Sequence, residues 1–198
     1  NKGKSIIFEN KVDAKGTKEK PIIFQSKSEN DYFGTVAIYG NNTNGSTFEN
    51  VIIQNGSGDI VNDIIYISAL SLHSTKNLKL KNITVKNNSI YDDMMHIIYS
   101  QNIEVENSKF LNAFGDSIDV DISKNISFKN IKINNSGNDG IDFMESTATL
   151  ESVNITSSGD KAVSVGENSN ISINNSNFKS NKYGIASKDL SVALINNS

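Results

Sequence analysis

The chain has 198 residues, a formal net charge of -3, no cysteine and a single proline. That length fits one mid-sized domain or one run of repeats, and the near-neutral charge gives no electrostatic case for nucleic acid. Every basic residue is Lys, so the bidentate Arg fork is missing, and the lack of Cys excludes a disulfide framework, a thiolate metal site and a Cys nucleophile.

No run is long enough to span a membrane, and no signal peptide is visible. Because the sequence starts at Asn1 and closes on "ALINNS", it is expected to be one β-rich domain over 1–198 within a larger protein. Asn and Ser punctuate short runs of Ile and Val, the pattern of many short strands joined by turns.

In chain order, "AKGTKEKPIIFQS" comes first, carrying Gly16, Thr17, Pro21, Ile22 and Phe24. "FGTVAIYGNNTNGSTFENVIIQNGSG" follows. The segment from Ile53 to Leu70 is the one insertion large enough to build a wall. A repeat then sets in: "KNITVKNNSIYDDMMHIIYS", "ENSKFLNAFGDSIDVDIS", "KNIKINNSGNDGIDFMES", "SVNITSSGDKAVSVGEN" and "NNSNFKSNKYGIASKDLS". The period is 22 to 25 residues. Val85, Phe110, Ile133, Ile155 and Phe178 share one position, and Ile118, Ile141, Val163 and Ile185 another. Asn82, Asn107, Asn130 and Asn175 share a third. No segment has helical periodicity, and Leu is too scarce for a leucine-rich repeat. An all-β solenoid with about three short strands per coil remains.

The opening coil and these repeats resemble the right-handed parallel β-helix superfamily, the pectate-lyase-like fold. The resemblance covers nearly the whole chain. It implies a fold rather than an activity, since one scaffold serves lyases, hydrolases, epimerases, tailspikes, adhesins and spacers.

Strand alternation in "SIDVDI" sends Ile118, Val120 and Ile122 inward and Asp119 and Asp121 outward. Stacking gives an outward row Ser71, His96, Asp119, Asp142, Ser164, and two residues on His73, Ile98, Asp121, Met144, Gly166. The entering turn stacks Asp93, Asp116, Asp139 and Lys161. At a coil spacing of roughly 5 Å, two like charges repel by about 3 kcal/mol at an effective dielectric of 20. Asp93, Asp116 and Asp139 fit turn capping equally well. Asp119, Asp121 and Asp142 lie within strands, where Asp is disfavoured, and so point to function.

The resemblance to Ca²⁺-dependent lyases implies a metal set of Asp116, Asp119, Asp121, Asp139 and Asp142, oxygen ligands suited to Ca²⁺. It implies Lys161 as the base, with a lowered pKa beside the ion. His96 is a candidate proton donor or ligand, and Asp93 and Lys188 extend the strip toward substrate. The expected partner is a polysaccharide or cell-surface glycan, at an extracellular or cell-surface location. "YDDMMH" offers the acid pair of a polygalacturonase-like glycosidase, but that family's other motifs are missing. The other expectation is a non-catalytic structural or adhesive solenoid module.

Overall fold

The computed structural model describes residues 3–28 and 31–198. The chain winds as a solenoid of three parallel sheets with eight, eight and seven strands. One coil illustrates the path. Asp93–Ile98 lies in the first sheet, Gln101–Glu106 in the second and Lys109–Ala113 in the third, before Ile118–Asp121 returns to the first. This is the all-β parallel β-helix expected from the repeat. The 3₁₀ turn Asn41–Thr43 is the one helical element among the described residues.

The aliphatic rows fall as the period requires. Val85 pairs with Phe110, Phe110 with Ile133, Ile133 with Ile155 and Ile155 with Phe178. Ile118, Ile141 and Val163 stack in register and are fully buried. Phe128 and Phe143 meet edge to face at 6.4 Å across the core.

The corners explain the Asn and Ser content. Asn77, Asn102 and Asn125 take φ values of 56°, 55° and 57°, a left-handed bend that Asn tolerates better than most residues. Their side chains form a ladder: Asn77 donates to Asn44 at 2.8 Å, Asn102 to Asn77 at 2.8 Å and Asn125 to Asn102 at 3.1 Å. The row holding Asn82, Asn107, Asn130 and Asn175 bends the same way. Between the first and second sheets, the backbone N–H of each of Ser100, Ser123 and Ser146 donates to the hydroxyl of the Ser one coil on, at 3.0 Å. The Ser ladder satisfies backbone N–H groups that the corner would otherwise bury unpaired, while the Asn ladder links side-chain amides on the exposed edge.

One inward assignment is corrected here. Ile122 is 38% exposed rather than buried. The strand ends at Asp121, and Ile122 takes the left-handed bend at φ 46°, in line with Tyr99 at 52° and Glu145 at 46°. That bend swings Ile122 outside, and Ser123 fills the inward place.

The insertion folds as an antiparallel hairpin, Asp59–Val61 with Ile64–Tyr66. Asn62 and Asp63 at its tip both have positive φ, the requirement of a tight two-residue turn. Outward residues of the second sheet form a charge ladder in direct register: Lys15, Glu49, Lys81, Glu106, Lys129, Glu151.

Candidate functional site

The first sheet presents the acids. Register pairs Ser71 with His96, His96 with Asp119, Asp119 with Asp142 and Asp142 with Ser164. One turn earlier, Asp139 donates its backbone N–H to Asp116 Oδ1 at 2.6 Å, and Lys161 donates its N–H to Asp139 Oδ1 at 2.7 Å. Gly residues permit this close stacking. A Cβ on Gly115 would overlap the Asp92 carboxylate, and one on Gly137 would overlap the Phe114 carbonyl.

These residues divide into two groups. At the centre, His96 Nε2 lies 3.2 Å from Asp121 Oδ2 and 3.8 Å from Asp119 Oδ2. His96 is 4% exposed, whereas the two carboxylate side chains keep 18% and 16% of their surface in solvent. Among the described residues these three form the group whose ligand atoms all lie within 4.8 Å of one another. At the far side, Asp139 pairs with Lys161 Nζ at 3.1 Å, and Lys161 also pairs with Asp160. Asp116 and Asp139 thus direct carboxylate oxygens at backbone N–H groups and a lysine. The five Asp residues expected around one ion are not gathered into one shell.

Burial sets the protonation pattern. It drives Asp93 well above the usual carboxylate range, with Asp119 the largest like-charged neighbour. Asp119 is raised by burial and then by Asp121, Asp142 and Asp116. Asp116 is pushed up to about 7 by burial, against the N–H bond from Asp139. Asp142 is raised too, chiefly by burial. Groups of one sign share a sheltered face and hold protons to limit their repulsion.

Lys161 departs from expectation. Burial alone would lower its pKa, but the bonds to Asp160 and Asp139 outweigh that and raise it. A lysine held as a cation by two acids is a poor proton acceptor at neutral pH. Asp93 is 2% exposed and reaches no solvent, so its expected contact with substrate is not direct. Lys188 lies on the coil after Gly166, exposed, with its side chain passing over that glycine.

The family model for the right-handed β-helix region matches residues 68–198. The chain belongs to this family. No curated protein matches the chain. A crystal structure from Parabacteroides merdae ATCC 43184, provisionally described as a glycosyl hydrolase, is similar at a TM-score of 0.47 and 11% identity. The match covers 88% of this chain and 80% of that one. Among the described residues no helix is long and apolar enough to cross a membrane.

This β-helix also uses residues the sequence reading passed over. Tyr66, at the base of the hairpin and 1% exposed, stacks on His73 with ring centroids 4.8 Å apart. His73 in turn meets His96 edge to face at 5.3 Å. The insertion therefore closes the N-terminal end of the strip, and burial lowers His73 to about 4. Tyr66 is the sole aromatic between Ile53 and Leu70, the one signal that could have marked it. Asn88 fixes the approach to Asp93: its amide donates to the carbonyls of Tyr91, Asp92 and Asp93, and its Oδ1 accepts from Phe114 N–H.

Proposed function

We propose that this β-helix is a carbohydrate-active module whose acidic strip engages an acidic polysaccharide through a divalent cation, outside the cell. The observation that carries the reading is the central trio, His96, Asp119 and Asp121, set among further buried acids on one open-sided face. The family supports the reading only as a fold that accommodates such sites.

Chemically, a cation at the trio would neutralise a uronate carboxylate and acidify the adjacent C–H. His96, whose Nε2 faces Asp119 and Asp121, would hold the ion rather than take the proton, and Lys161 is held as a cation by Asp139 and Asp160. Lys188, exposed at the C-terminal end of the strip, would contact a polymer carboxylate there. Calcium is the ion the sequence leads one to expect, and of the six to eight oxygen ligands it takes, the trio offers the two carboxylates Asp119 and Asp121 beside one nitrogen.

A second reading has its own support. The hairpin packs Tyr66 on His73 at one end of the strip, while Lys188 at the other end is exposed. An open face suits glycan binding without turnover, in a structural or adhesive module. Incubation with polygalacturonate and alginate, in the presence of divalent ions, separates the two. Ultraviolet-absorbing unsaturated ends mean a lyase, and new reducing ends without them mean a hydrolase. Retention in affinity electrophoresis with neither product means a binding module. No retention and no product would sink the carbohydrate reading.

A further inference from the structure

The central trio carries one nitrogen donor among its ligands, and that decides which ions suit it. Calcium takes six to eight oxygens, whereas imidazole nitrogen favours borderline d-block ions. The donor spacings of 3.2 and 3.8 Å around His96 Nε2 bracket the roughly 3.3 Å edge of a tetrahedron with zinc-like bond lengths. Asp116 and Asp139, which a calcium shell would need, bond instead to backbone N–H groups and Lys161.

A second observation comes from beside the trio. Asp93 Oδ2 is buried without a hydrogen-bond partner, on a side chain 2% exposed whose foremost charged neighbour is Asp119. His73 Nε2 is likewise buried without a partner, in the ring packed against His96. Orphaned polar atoms of this kind are rare in folded proteins and call for an occupant that satisfies them. A cation, with the water it holds, would supply both a donor for Asp93 and relief of the repulsion between Asp119 and Asp121.

We infer that His96, Asp119 and Asp121 form a three-ligand site for a zinc-type divalent cation, with a further coordination position left open. This deepens the proposed function, resting on the same strip but naming its ion as a d-block metal rather than calcium. Three protein ligands and an open position are the arrangement in which zinc holds a reactive water or a substrate oxygen. Asp93 would act as a positioning residue through that water.

The test is calorimetric titration of the chelator-treated full chain with Zn²⁺ and separately with Ca²⁺, followed by Co²⁺ loading and its visible absorption spectrum. One equivalent of Zn²⁺ should bind at micromolar affinity or tighter, with Co²⁺ giving the intense bands of low coordination number. His96→Gln and Asp121→Asn should each weaken Zn²⁺ by more than about tenfold, and Asp93→Asn by about tenfold as an outer partner. Glu106→Gln, on the second sheet away from the trio, should leave Zn²⁺ binding unchanged. Metal-free melting curves establish that each variant is folded. Calcium binding as tight as zinc, or zinc binding that survives both His96→Gln and Asp121→Asn, overturns the inference. Absence of zinc binding together with metal-independent polymer binding or cleavage overturns it while leaving the carbohydrate reading in place. Zinc binding in a chain that ignores every polymer supports the inference and removes that reading.

Discussion

Two faces of the same solenoid solve the same electrostatic problem in opposite ways. On the second sheet, Lys15, Glu49, Lys81, Glu106, Lys129 and Glu151 alternate in sign from coil to coil. On the first sheet, Asp119 stacks on Asp142, and Asp116 on Asp139. Parallel stacking forces each outward residue against its counterparts, so opposite charges help and like charges cost. The alternating row needs nothing beyond folding to account for it. The like-charged row is unfavourable for folding, and such local conflicts collect at functional sites. Exposure sharpens the contrast: the Lys79–Glu104 pair, 3.2 Å apart, has side chains 65% and 50% exposed, whereas Asp139 keeps 3%.

Four perturbations probe this contrast, and the largest should come from beneath both faces. Phe143→Ala removes a ring packed on Phe128 in the core and should cost about 3–5 kcal/mol in urea unfolding. A charge change on the second sheet with a comparable effect would break the comparison.

Next, Lys161→Met should cost about 3 kcal/mol, because it leaves the buried Asp139 without its cation. Among the described residues, Lys161 is the lysine in ion-pair contact with the stacked acids Asp116, Asp119, Asp139 and Asp142. If chemical denaturation shows no loss, the row tolerates its own charge and the contrast weakens.

Third, stability of the metal-free protein should depend on pH through Asp116. Its carboxyl sits at about 7 in the fold, against ~3.9 for an unfolded Asp. The folded state holds the proton more tightly, so this stabilisation is fully present below about pH 4 and is lost as pH rises through about 7. Melting temperature should therefore fall between about pH 5 and about pH 8, by an amount reflecting a few kcal/mol at most. Asp116→Asn should make the profile shallower, leaving the part that Asp93, Asp119 and Asp142 contribute with the same sign. A profile equally steep in that variant would assign the effect elsewhere.

The smallest effect belongs to the exposed ladder. Lys81→Glu places a third acid between Glu49 and Glu106 and should cost about 1 kcal/mol at low salt. Added salt should remove most of the difference, since exposed charges are screened. A salt-independent loss would mean that packing, not charge, was disturbed.

The sequence carried the period, the three-strand coil and the stacking of Asp93, Asp116, Asp139 and Lys161, because parallel coils put equivalent positions side by side. It carried the outward row through His96, Asp119 and Asp142 for the same reason. The charge ladder was equally legible in "KLK", "EVE", "FK" and "LE", but only once the second-sheet register is known. Ile122 misled because strict alternation assumes that the strand continues, and a left-handed corner ends it at Asp121.

Other features needed the tertiary structure. Lys161 read alone could be a base or an ion-pair partner, and the choice fell to two acids, one from its own coil and one from the coil before. The path of the hairpin, which brings Tyr66 onto His73 and so shelters His96, follows from packing of an insertion that has no repeat to constrain it. The sequence by itself determined which residues align, since alignment follows from a period. Only the tertiary structure decided which of the aligned acids meet His96 and which are tied to backbone and lysine, because side-chain direction and burial depend on neighbours that the period does not specify.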